Sequence, residues 1–369
     1  MKIGVMLRHV GAPGGIGVYT RHILNSLLRP GSRHRYFLIY RKPRQLGSFP
    51  VSSSVREVLL PAPSALWWDQ VAVPRFARRE GLDLIFNPKL SVPLVTRAKT
   101  VLVMHGAEQF AVPQAFRWLD RLYFTLANPI YCRAASAVIC PTHTGARDVA
   151  RYMRADPGRI RVIYDSYNEL CRVLDRAEAR AVQEKYSLPD RYILFIGGLS
   201  PLKNLGNSLR AYHSLVGRIP HRLVVVGFTR WKFSKDLAVL DELGLRDRTQ
   251  LLGFVSDEEI PAIYNLADLL LFPSLYEGFG MPVLEAMACG CPVVTTETGC
   301  SPEVAGGAAL LVDPYRPDRI ADAMWRILTD PALREELVEK GLRRAKEFSW
   351  RACAEETLRL FESLNGAGP

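Results

Sequence analysis

Short apolar runs alternate with helical stretches from one end of the chain to the other, and the alternation occurs twice. In the first half the strand-like runs are Lys2–Leu7, Tyr36–Tyr40, Val55–Leu60, Leu82–Phe86, Thr100–Met104, Ala137–Cys140 and Ile160–Ile163. Apolar residues at helical spacing fall between several of them, at Ile16–Leu28, Ala65–Arg79, Ala115–Arg133 and Thr144–Met153. The pattern restarts with Tyr192–Ile196, Leu223–Val226, Leu251–Leu252, Leu269–Phe272, Pro292–Thr295 and Ala309–Val312. Its helices are expected at Asn204–Val216, Lys235–Leu243, Asp257–Leu266, Pro282–Cys289, Pro317–Thr329, Pro331–Glu347 and Trp350–Leu364. Strands that are apolar throughout and separated by helices fit a parallel sheet covered on both faces. The expected fold class is α/β, with two doubly wound, Rossmann-like domains and a ligand cleft between them. The domains are expected at 1–168 and 169–349, followed by a final helical segment at 350–369.

Composition narrows the function. The 369 residues are 48% hydrophobic and 23% charged, which excludes wholesale disorder. No apolar stretch is long enough to span a bilayer, and Lys2 and Arg8 interrupt any signal-peptide core, so a cytoplasmic protein is expected. Seven cysteines carry no zinc spacing and read as buried free thiols. The net charge of +11 is uneven: residues 1–170 hold 24 Lys and Arg against 10 Asp and Glu. The densest basic cluster is Arg29, Arg33, Arg35, Arg41, Lys42 and Arg44. It suits an anionic membrane surface or a phosphate-bearing substrate, and equally a solvated surface. Nucleic acid is disfavoured, because no recognition module or interleaved aromatics accompany the charge. Trp67 and Trp68 are expected to pack in the core of the first domain rather than to meet a membrane.

The segment from Pro273 to Gly290 is the richest in chemistry. A strand runs into a glycine-containing loop, and Pro282 suits the first turn of a helix, where its missing N–H costs nothing. Amides around Gly280, Met281 and Val283 would then present a helix N-terminus to an anion such as a diphosphate. Glu277 lies in the loop and Glu285 on the helix, so one carboxylate can meet sugar hydroxyls and the other ribose hydroxyls. Lys203 follows the strand Tyr192–Ile196 and starts a helix, a position that favours a cation only if an anion is bound nearby. Gly14-Gly15-Ile16-Gly17 is a glycine-rich strand-to-helix turn without dinucleotide-binding spacing.

Glu277 and Glu285 within EGFGMPVLEAMACGCPVV resemble the signature of retaining glycosyltransferase family 4, also called group 1. The likeness continues in Gly197-Gly198-Leu199-Ser200-Pro201-Leu202-Lys203-Asn204, Leu252-Gly253-Phe254-Val255, Pro302 to Gly306, Leu310 to Pro314 and the turn at Gly14. The resemblance implies the GT-B fold, with the last helix crossing back to the first domain. It implies a metal-independent hexosyltransferase that moves a sugar from a nucleotide diphosphate sugar to an acceptor hydroxyl with retention. No cofactor is implied beyond that substrate, with GDP-mannose favoured over a UDP-sugar. Lys203, Glu277 and His105 are the implied catalytic residues. Gly15, Gly198, Phe254, Val255, Gly278, Phe279, Gly280, Met281, Val283 and Glu285 join Lys203 and Glu277 on the donor, and Gly14, Gly15 and Glu108 face the acceptor.

The chain departs from the family pattern in two places. Gly198 and Leu202 stand where basic residues are common, so Lys203 is left to carry more of the phosphate charge. His105 is followed by Gly106, Ala107 and Glu108 instead of an Asp, which makes Glu108 the candidate for the missing carboxylate. The implied setting is cell-surface polysaccharide or glycolipid assembly at the inner face of the membrane, with a lipid-linked or oligosaccharide acceptor. A nucleotide-sugar epimerase, a glucan phosphorylase or starch-synthase-like enzyme, and a non-enzymatic anion or nucleic-acid binder are the competing readings.

Overall fold

Thirteen strands form two all-parallel sheets in a computed structural model that describes residues 1–11, 14–29, 31–228 and 234–366. The first sheet holds β1 (Lys2–Met6), β2 (Arg35–Tyr40), β3 (Val55–Leu59), β4 (Leu84–Asn87), β5 (Lys99–Val103), β6 (Ala137–Cys140) and β7 (Ile160–Val162). Its order is β3-β2-β1-β4-β5-β6-β7. The second holds β8 (Tyr192–Ile196), β9 (Arg222–Val226), β10 (Thr249–Gly253), β11 (Leu269–Phe272), β12 (Val293–Thr296) and β13 (Leu310–Val312), in the order β10-β9-β8-β11-β12-β13. Both sheets therefore reverse direction of growth beside their first strand, between β1 and β4 and between β8 and β11. Such switch points open a crevice at the carboxyl ends of the strands. The central strands are buried on both faces, as Leu38, Leu84, Leu194 and Leu270 show at 0% exposure, which accounts for their unbroken apolar sequence.

The chain divides into two compact units. Unit 1 comprises residues 1–110, 116–166 and 349–369, and unit 2 comprises 111–115 and 167–348. The helix Trp350–Leu364 thus belongs to unit 1, where the Trp350 ring lies 5.2 Å from His22 and 5.8 Å from Tyr19 and Phe361 lies 5.2 Å from Phe86. All seven cysteines are buried and free.

Several elements differ from the sequence reading. The stretch expected as one helix over Ala65–Arg79 is interrupted by a wide turn at Trp68–Ala72 before the helix Val73–Glu80. Pro74 lacks the N–H that a regular helix would need there. The turn sends Trp68 into the core and leaves Trp67 39% exposed, so only one of the two tryptophans packs as expected. The helices Arg176–Tyr186 and Ser301–Ala305 were not expected. Arg176–Tyr186 is mostly polar and held by a reciprocal cap between Asp175 and Glu178. Among the described residues, no helix is long and apolar enough to cross a membrane.

Candidate active site

The unit 2 site lies at the switch point between β8 and β11. After β8 the chain turns through Gly197 and makes one tight turn at Pro201–Lys203 before the helix Leu205–His213. Gly227, just past β9, approaches so closely that a Cβ there would lie 1.8 Å from the Gly197 carbonyl oxygen. Asn204 takes a left-handed conformation (φ 63°) and is buried. Its side-chain amide donates to the carbonyls of Pro273 (3.0 Å) and Pro314 (2.6 Å), and the Leu275 N–H donates to Leu202 (2.8 Å). These bonds tie the loops after β8, β11 and β13 together.

The result is a side-chain pair. Lys203 Nζ lies 2.5 Å from Glu277 Oε1 and 4.6 Å from the centroid of the Phe272 ring. Both side chains keep some exposure, 18% and 14%, so a ligand can reach them. Beyond Glu277 the loop is anchored by the buried ring of Phe279, edge-on to Phe348. Gly280 caps the helix Met281–Ala288 in a left-handed conformation (φ 84°) that a side chain would strain. The Val283 N–H is turned inward to the Gly280 carbonyl at 3.0 Å, so its amide is not offered to an anion as the sequence suggested. Among the described residues the Gly280 and Met281 amides have no backbone acceptor, and they are the donors at this helix start.

Glu285 sits one turn further on. The Tyr264 hydroxyl donates to Glu285 Oε2 at 2.8 Å. Burial raises the pKa of this carboxyl, while Tyr264 and the Asn168 N–H work against the rise. Tyr264 had no signal in the sequence beyond an apolar helix position. Phe254 is 69% exposed at the end of β10, whereas Val255 is buried. Gly198 is half-buried in the loop before Lys203.

In unit 1, Gly14 caps the helix Gly15–Leu27 and its carbonyl accepts from Gly17 (2.9 Å) and Val18 (3.2 Å). His105 follows β5. Its Nε2 donates to the Pro88 carbonyl at 2.8 Å, since a carbonyl only accepts, and its Nδ1 lies 3.8 Å from Asp165 Oδ2. The carboxylate facing His105 is thus Asp165, not Glu108, which opens the short helix Glu108–Ala111. Asp165 follows β7, and the parallel sheet brings the ends of β5, β6 and β7 to one edge. Burial raises the Asp165 pKa, and His105 opposes the rise. Among the described residues no three His, Cys, Asp or Glu side chains are grouped to hold a metal ion.

A lysine–glutamate pair and a glycine-capped helix start thus stand together at the switch point of the parallel sheet of unit 2. Residues 175–344 match the family model described as glycosyl transferases group 1, and residues 13–168 match that described as Glycosyltransferase Family 4. The chain belongs to this family. It is 39% identical over 192 residues to O-antigen chain mannosyltransferase B of Escherichia coli, covering 51% of this chain and 50% of that protein. It is 38% identical over 205 residues to a D-inositol 3-phosphate glycosyltransferase of Corynebacterium jeikeium (strain K411), covering 53% of this chain and 49% of that protein. The matches span about half the length of these relatives. The solved structure of sucrose-phosphate synthase from Thermosynechococcus elongatus superposes over 100% of both chains with a TM-score of 0.83 at 22% identity. That likeness is one of fold, the GT-B architecture.

Proposed function

We propose that the protein is a retaining hexosyltransferase of polysaccharide or glycolipid assembly, taking its sugar from a nucleotide diphosphate sugar, with GDP-mannose favoured. The observation that carries this reading is the Lys203–Glu277 pair beside the Gly280–Met281 amides. As the glycosidic bond breaks, the sugar becomes oxocarbenium-like and the diphosphate gains charge. The Lys203 ammonium and the two amides are preorganised donors for that charge and need no metal to act. Glu277, paired with Lys203, exchanges that partner for sugar hydroxyls when the diphosphate claims the ammonium. Glu285 accepts from ribose hydroxyls, and exposed Phe254 is placed to meet the base. His105, whose Nε2 donates to the Pro88 carbonyl while its Nδ1 faces Asp165, is fixed in orientation at the end of β5 in unit 1. Retention follows from a front-face route in which the departing phosphate takes the acceptor's proton. The preference for mannose is supported by the similarity to O-antigen chain mannosyltransferase B.

Thermal-shift screening with GDP-, UDP- and ADP-sugars tests the donor, because a ligand that binds only the native state raises the melting point by mass action. Lys203→Ala is expected to cut transfer about 10²–10³-fold. Excess chelator is expected to leave the rate unchanged, and NMR of the product is expected to show the donor's anomeric configuration. Wild-type turnover in Lys203→Ala, or no shift with any nucleotide sugar, would overturn the reading.

A further inference from the structure

Unit 1 has a switch point of its own, between β1 and β4, and it is occupied by cations. Arg8 follows β1, Arg41 and Lys42 follow β2, and Lys89 follows β4; together they line a cavity of about 490 Å³. Among the described residues no carboxylate lines it. Asp69 pairs with Arg8 (2.8 Å), while Arg41 is held by the carbonyl oxygens of Ala62 and Pro63 at 3.3–3.4 Å, which leave its charge in place. His9 lines the same cavity and accepts a hydrogen bond from Arg8 Nε (3.1 Å), so its Nε2 carries no proton. Its pKa is lowered to about 3 by burial and by the positive charges of Lys89 and Arg8. Asn128, 1% exposed, also lines the cavity, and its Nδ2 donor has no partner in the protein. A buried donor left unmatched beside four cations is an arrangement that an anionic oxygen completes.

Asn128 and Tyr123 belong to the helix Trp118–Ala134, which carries an apolar face on the outside. Trp118, Leu122, Leu126 and Ile130 recur every fourth residue and are 47–72% exposed. Arg117, Arg121 and Arg133 are exposed on the same helix or at its start. An exposed apolar stripe flanked by arginines is the pattern of a helix lying in a membrane interface.

We infer that the cavity seats a phosphate or diphosphate group of the sugar acceptor, and that the apolar face of the adjoining helix takes the hydrocarbon chain attached to that group. The acceptor is then a lipid-linked phosphate met at a bilayer surface, an assignment that rests on the glycosyltransferase reading. It also redistributes the basic cluster seen in the sequence. Arg41 and Lys42 line the cavity, whereas Arg33 is paired with Glu362 at 2.6 Å.

The test is calorimetry on the full chain with three probes: farnesyl diphosphate, inorganic pyrophosphate and farnesol. It is run in the Lys203→Ala background, so that unit 2 does not compete for the diphosphate. Farnesyl diphosphate is expected to bind at least about tenfold more tightly than either of the others. Lys42→Ala with Lys89→Ala should weaken it about 10–100-fold, the loss expected for charge-assisted hydrogen bonds. Leu122→Asp with Leu126→Asp, both at exposed positions that leave folding intact, should weaken farnesyl diphosphate and spare pyrophosphate. Farnesyl diphosphate binding that survives the lysine changes, or that is no tighter than pyrophosphate, overturns the inference. Nucleoside diphosphate titrated into the lysine variant with Lys203 restored reads the donor site separately. Absence of binding there and in the wild type would defeat the glycosyltransferase reading instead.

Discussion

Glu285 illustrates a site residue held against its own preference. A carboxylate taken from water into a half-closed pocket loses hydration that one hydroxyl and one amide do not fully replace, so its proton is bound more tightly in the folded chain. A carboxyl whose folded pKa is raised contributes full stability below its unfolded value, near 4.5, and loses it as pH rises through the folded value. Glu285→Gln keeps an acceptor for Tyr264 and removes the charge. The variant should therefore be more stable than wild type at pH 8, and the gap should close as the pH falls below about 4.5. It should also bind bare nucleoside diphosphate more weakly, because ribose has lost its carboxylate. Urea denaturation at pH 4 and pH 8, with calorimetry at pH 8, reads both effects; a variant less stable at pH 8 would mean that the carboxylate serves packing. Glu277→Gln contrasts with it, since its proposed partner is the sugar. Bare-nucleotide affinity should be spared and turnover should fall. Equal loss of nucleotide affinity in the two variants would contradict that division.

At the level of elements, strands were legible and contacts between their ends were not. Ala137–Cys140, Tyr192–Ile196 and Leu269–Phe272 are observed with the expected bounds, because a strand buried on both faces must be apolar at every position. The helix Arg176–Tyr186 escaped because, among the described residues, Ala179 is its one buried side chain, so no apolar stripe announced it. Lys203 and Glu277 could each be placed at the site from motifs, since each sits just past a strand, but their ion pair could not. Asp165 beside His105, and Arg8 beside Lys89, follow from strand order, which local spacing does not encode. Gly227 belongs to the same group: nothing in its local sequence marks it, yet its lack of a side chain lets the ends of β8 and β9 meet. Gly227→Ala would add a strained φ (144°) to an overlap with backbone that cannot rotate away. A loss of about 2–4 kcal/mol is expected in chemical denaturation. Because the displaced Gly197 leads into the Lys203 turn, nucleotide affinity should fall with it. Unchanged stability would mean that the loop yields freely and does not set the position of Lys203.

The whole molecule is built from two α/β units, and the chain returns to the first after completing the second. Residues 349–369 belong to unit 1 although more than 180 residues separate them from the rest of it. Trp350 is 1% exposed and Phe361 is fully buried, so the returning helix fills the core of unit 1 and is not a surface appendage. Tyr19, which Trp350 covers, also lies 4.8 Å from the His105 ring, so the returning helix backs the strand ends that carry His105 and Asp165. Trp350→Ala should cost about 3–5 kcal/mol, the range for emptying a buried tryptophan site. That loss should be local. Hydrogen exchange should speed up in β1, in the helix Gly15–Leu27 and in β4, while the amides of β8, β9 and β11 keep their protection. Nucleoside diphosphate affinity should stay within about twofold of wild type, because its proposed contacts all lie in unit 2. Uniform acceleration across both sheets would instead show that the two units unfold as one cooperative body, with the returning helix stabilising both.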